Sequence, residues 1–204
     1  MTRVKICGVT REEDAVLAAE LGAAAIGFVF WARSPRYVSP SNVASIVGSL
    51  PPAVAAVGVF VDEPIDEVVR IAQTARLSAV QLHGNESLAY AQRLLQPVIK
   101  AVAVGPGFVA ESVDVYPPEV TILMDAHDPV RRGGTGRTID WSAAAAVAAR
   151  RPVFLSGGLT PSNVADAIAR VRPYGVDVSS GVETAPGIKD HAKLRALFEA
   201  THGG

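Results

Sequence analysis

Two hydrophobic periods alternate along the chain. Short β-branched runs read as strands at residues 4–7, 24–30, 56–61, 79–82, 98–104, 121–124, 153–155 and 176–178. Between them, apolar residues recur at helical spacing: Val43, Ile46, Val47 and Leu50; Ile65, Val68, Val69 and Ala72; Leu88, Ala91 and Leu95; Val164, Ile168 and Val171; Leu194, Leu197 and Phe198. Start signals precede several of these faces. Thr10-Arg11-Glu12-Glu13 has the form of a capping box, Ser39-Pro40 pairs an N-cap with Pro at the first helical position, and Asn85, Asp140 and Thr160-Pro161 open the later helices. The stretch after residue 104 is poorly helical and runs into Pro117-Pro118.

Eight strand–helix units predict a (β/α)8 barrel, because each crossover must connect parallel neighbours and eight strands can close. With no linker, domain boundary or low-complexity segment, residues 1–204 read as a single barrel domain, smaller than the ~250 residues typical of the fold. Composition narrows the function. The formal charge of −1, without basic blocks, argues against a nucleic-acid or membrane-surface partner. One cysteine can form neither an intrachain disulfide nor a thiolate zinc site. No signal peptide or membrane span is present in the pattern, so the expected location is cytoplasmic.

In a barrel, strand C-termini gather at one mouth, where active sites form. That placement would bring together Cys7, Asp62, His83, Asp125, Ser156 and the 179–181 loop. Lys5 shares a strand face with Cys7 and is expected to favour the thiolate; otherwise Cys7 is a small buried apolar residue. Strand alternation also lets Lys5 pair with Asp177 inside the barrel. Gly157 and Gly158, one strand from Ser179, Ser180 and Gly181, read as a phosphate cradle, since barrels commonly bind phosphate with these two loops. Asp125 follows an apolar run that can raise its pKa enough for acid catalysis, unless it merely caps its loop. Arg36 in the second loop can fork onto a carboxylate. Two other readings stand beside this one: a metal-dependent epimerase using His83, Asp125 and His127, and a nucleotide-binding module using the G-x-G-x-x-A match at Gly105.

Six strings, in order and from end to end, decide the direction. Val4-Lys5-Ile6-Cys7-Gly8, Gly27-Phe28-Val29-Phe30, Gln81-Leu82-His83-Gly84, Gly133-Gly134-Thr135-Gly136, Leu155-Ser156-Gly157-Gly158-Leu159 and the run from Asp177 to Glu183 closely resemble the phosphoribosylanthranilate isomerases of tryptophan biosynthesis. One departure is Ile139, where the family pattern has Phe. The resemblance implies a (β/α)8 barrel that performs an Amadori rearrangement of a small phosphosugar by general acid–base catalysis, with no cofactor or metal, as a monomer or homodimer. It further implies Cys7 as general base and Asp125 as general acid. Arg36 would face the anthranilate carboxylate, and Gly157, Gly158, Ser179, Ser180 and Gly181 would hold the phosphate. A histidine-pathway sugar isomerase would be expected to carry Asp where this chain has Cys7.

Overall fold

The computed structural model describes residues 2–126 and 139–202. His127 and the Gly133–Gly136 string lie outside them. Eight parallel strands close into a barrel: β1 Arg3–Cys7, β2 Ala25–Val29, β3 Ala55–Phe60, β4 Ala79–Leu82, β5 Val98–Val104, β6 Thr121–Ala126, β7 Val153–Leu155 and β8 Gly175–Val178. The helices outside are α1 Glu12–Glu20, α2 Pro40–Gly48, α3 Ile65–Thr74, α4 Leu88–Ala91, α5 Trp141–Ala148, α6 Val164–Val171 and α7 His191–His202. Closure comes from β1 pairing with β8, which sets Lys5 opposite Asp177. None of the described helices is long and apolar enough to cross a membrane.

Strands buried on both faces need apolar side chains on both, which is why their hydrophobic runs are nearly continuous. Outward residues such as Ile6, Phe28, Val80, Ile122, Leu155 and Val176 pack beneath the helices. Inward residues Ala25, Val57, Ala79, Ile99, Leu123 and Phe154 fill the barrel floor as a separate cluster. One alternation further toward the mouth, β4, β6 and β7 turn polar at Gln81, Asp125 and Ser156, while β2, β3 and β5 carry Gly27, Val59 and Ala101. The barrel interior is therefore an apolar floor beneath a mixed layer that carries the site's polar groups.

Several local expectations need correction. Thr10 does not cap α1: its hydroxyl donates to Gly187 O at 2.7 Å, and Arg11 occupies the N-cap position with no side-chain capping bond, its guanidinium donating to Asp14 instead. The helix after β4 starts later than Asn85, at Ser87, which accepts from Tyr90 N. Its short length leaves Leu95 at 93% exposure instead of on a packed face. Likewise α6 starts after Asn163, whose amide oxygen accepts from Thr160 N instead. By contrast, Ser39 and Asp140 cap α2 and α5 as expected. After β5 the chain forms a 3-10 turn over Ala110–Val115. The glycine motif at Gly105 thus lacks the helix N-terminus that dinucleotide binding requires. An antiparallel hairpin, β9 Glu183–Ala185 with β10 Ile188–Lys189, follows β8 and was not foreseen.

Candidate active site

A cavity of ≈ 400 Å³ opens at the C-terminal mouth of the strands, lined by Cys7, Asp125, His83, Gln81, Asp177 and Ser179 among others. Alternation along β1 puts Lys5 one layer below Cys7, and the Lys5 ammonium lies 2.7 Å from Asp177 Oδ1. The pairing expected across the seam is therefore present. Burial pulls the Lys5 pKa down, but Asp177 holds it above its ordinary value. A glycine makes this packing possible. A Cβ on Gly27 would stand 2.9 Å from Cys7 Sγ and 3.1 Å from Lys5 Nζ, inside normal contact distance.

The expected thiolate-favouring environment is corrected by burial. Cys7 is 8% exposed, and that desolvation pushes its thiol pKa up. Lys5 pulls it down but does not prevail, because its charge is shared with Asp177, which itself pushes the thiol up. Cys7 rests as a thiol with a cation beside its sulfur.

Asp125, the penultimate residue of β6, lies buried across the mouth, with its Oδ2 at 3.2 Å from His83 Nε2. Gln81 Nε2 lies 3.0 Å from His83 Nδ1. With the amide nitrogen donating to Nδ1, the imidazole presents Nε2–H to the carboxylate. In that orientation Gln81 Oε1 is buried and has no partner among the described residues, leaving an acceptor at the cavity. Glu86 holds this loop from behind by accepting from Gly84 N, Asp62 N and Lys100 Nζ. Asp62 stays outside the cavity lining and accepts from Asn85 N, a loop-bracing role.

Arg36 lines the opposite wall with Trp31 and Pro35. Its guanidinium is gripped by Glu183 of the hairpin, with Nη2 at 2.6 Å and Nε at 2.9 Å from the carboxylate oxygens. Burial lowers the Arg36 pKa, but Glu183 raises it more; burial raises Glu183, but Arg36 and Lys189 hold it below the usual carboxylate range. Lys189 is fully buried and donates to Glu183, to Cys7 O at 2.6 Å and to Ser179 O at 3.3 Å. Neither Glu183 nor Lys189 was singled out from sequence. The glutamate stood inside a quoted string, and nothing local marks a carboxylate whose partner is distant in the chain.

Ser156 and Ser179 reach the cavity lining, while Gly157, Gly158, Ser180 and Gly181 lie in the loops immediately above. Gly157 and Gly158 both take positive φ, 91° and 63°. Gly181 packs against the Leu159 backbone, so the two loops touch and form one rim. No group of three or more His, Cys, Asp or Glu side chains placed to hold a metal occurs among the described residues.

The family model for N-(5'phosphoribosyl)anthranilate (PRA) isomerase matches residues 4–200. The chain belongs to this family. The N-(5'-phosphoribosyl)anthranilate isomerase of Geotalea uraniireducens is 48% identical over 203 residues, covering 100% of both chains. The crystal structure of phosphoribosyl anthranilate isomerase from Thermotoga maritima superposes with a TM-score of 0.92 at 43% identity, over 100% of each chain. Another, at TM-score 0.88 and 41% identity over 100% of each, is a phosphoribosyl anthranilate isomerase in complex with reduced 1-(o-carboxyphenylamino)-1-deoxyribulose 5-phosphate. Family membership favours the isomerase over the epimerase and nucleotide-binding readings.

Proposed function

We propose that this chain converts N-(5-phosphoribosyl)anthranilate to 1-(2-carboxyphenylamino)-1-deoxyribulose 5-phosphate, the isomerisation that its relatives are named for. The observation that carries the reading is that Cys7 and Asp125, one from β1 and one from β6, line the same cavity. Asp125 protonates the furanose ring oxygen, and the C1′–O bond opens as the anthranilate nitrogen forms a Schiff base. Cys7, as thiolate, then removes the C2′ proton, and the electron pair moves to give an enolamine. Tautomerisation of the enolamine yields the ketone. Each positioned proton transfer contributes about 10²–10⁴-fold. The Lys5 ammonium beside the sulfur stabilises the thiolate when it forms, and His83 holds the Asp125 carboxyl toward the cavity.

Substrate placement follows from the two walls. The rim of Gly157, Gly158, Ser179, Ser180 and Gly181 takes the phosphate, as loops after strands seven and eight do in this fold. Arg36 takes the anthranilate carboxylate, with Trp31 and Pro35 beside the aromatic ring. The complex of the relative with a reduced product supports a phosphosugar of this kind as the ligand.

The test is loss of anthranilate fluorescence from freshly made phosphoribosylanthranilate, for wild type and Cys7→Ala, each with and without chelator. Rapid turnover that resists chelator and collapses in the variant supports the assignment. Absence of turnover by wild type overturns it, and turnover that survives in Cys7→Ala removes the base from Cys7.

A further inference from the structure

The hairpin after β8 takes no step in the reaction above, yet donors converge on its Glu183 carboxylate: Arg36 Nε and Nη2, Lys189 Nζ and Gly187 N. A guanidinium has five N–H donors arranged along two forked edges. Glu183 occupies the side edge, formed by Nε–H and one Nη2–H. The end edge, formed by one Nη1 hydrogen and the second Nη2 hydrogen, is left, and Nη1 donates to no acceptor among the described residues. Arg36 is a cavity-lining residue, and its stem crosses Gly8, where a Cβ would strike Arg36 Cδ. On its other side Glu183 is tied through Lys189 to the carbonyls of Cys7 and Ser179.

We propose that Glu183 is the positioning residue for Arg36. It fills the side edge of the guanidinium and thereby presents the end edge to the anthranilate carboxylate at a fixed offset from the backbone of Cys7. The proposal rests on the reading of Arg36 as the carboxylate site. A free arginine side chain loses rotamer entropy on gripping a ligand, and prior clamping by Glu183 removes that cost from the binding step. The same carboxylate neutralises part of the arginine charge without occupying the fork that the ligand needs. Lys189, anchored to the ends of β1 and β8, makes the clamp part of the barrel rather than of a loose loop.

The experiment compares binding of two stable ligands: the reduced product analogue and its counterpart without the ring carboxylate. Wild type, Glu183→Gln and the double variant Glu183→Gln with Lys189→Met are titrated, with folding checked by thermal melting. The double variant covers the case in which an unpaired buried Lys189 unfolds the single one. Expected is a loss of about tenfold in affinity for the carboxylate-bearing ligand in a folded variant, with the other ligand unchanged within about twofold. Equal weakening of both ligands would assign Glu183 a general structural role and overturn the proposal. Unchanged affinity for both would overturn it as well. If wild type itself binds the two ligands equally, Arg36 is not the carboxylate site, and the proposal falls with that reading.

Discussion

At the scale of single residues, Cys7 is held between burial, which pushes its thiol up, and the Lys5 ammonium, which pulls it down less strongly. A base acts in its unprotonated form, so activity should follow the thiolate fraction and rise with pH. We expect kcat/KM to climb along a limb whose midpoint lies above the ~8.5 of a free thiol. A pH–rate profile with its midpoint at or below that value would contradict a buried Cys7 as the base. Gly27 is the second residue on which the site depends. Gly27→Ala places a methyl 2.9 Å from Cys7 Sγ, so the sulfur or the strand must move. The expected cost is about 1–3 kcal/mol of stability, with a fall in kcat, read by melting and by turnover of the same preparation. Cys7 was legible in the sequence because it is the lone thiol at a strand end. Its protonation state was not, because burial is a property of the closed barrel and outweighs the adjacent lysine. Glu183 stayed hidden for a related reason: its partner Arg36 is 147 positions away.

Elements follow the sequence most closely where a side chain caps its own backbone. Ser39 accepts from Asn42 N and Pro40 follows it, so the start of α2 is written locally. Ser39→Ala should cost about 1 kcal/mol, measured by denaturant midpoint, without changing KM. Thr10 shows the opposite case, since its hydroxyl finds Gly187 O across the barrel seam and the helix proceeds without it. Capping chemistry identifies a candidate donor or acceptor, but a tertiary partner can claim it. Strands β4, β5 and β7 match the predicted runs at both ends, because each run is mostly apolar and β-branched, with Gln81 and Lys100 as the isolated polar positions in β4 and β5. The hairpin of β9 and β10 was not legible, being short and mostly polar, with its fixing bonds supplied by Arg36, Asp14 and Lys193 from elsewhere.

For the whole molecule, closure of β1 on β8 carries a buried ion pair. Lys5 and Asp177 are 0% and 5% exposed at the side chain, so neither charge has solvent to fall back on. Lys5→Met alone strands a buried carboxylate and should cost about 3–5 kcal/mol, whereas Lys5→Met with Asp177→Leu should regain most of that stability. Both variants should lose turnover, because the cation beside Cys7 is gone; a double variant with wild-type activity would show that the pair serves the fold alone. The barrel as a whole was readable from eight repeats of one pattern, and the Lys5–Asp177 pairing from alternation, since both rest on periodicity. The clamp on Arg36 and the bonds that Glu86 accepts behind His83 rest on contacts that no period encodes. The seam also sets an order in time. A ribosome delivers Lys5 and Cys7 well before Asp177, Ser179 and Lys189, which lie about 170 residues or more further along. At about 5–20 residues per second, the nascent chain spends on the order of ten seconds or more with its single thiol unburied. Until the last strand arrives, the group proposed for catalysis is open to oxidation by whatever it meets, and closure of the barrel is what ends that exposure.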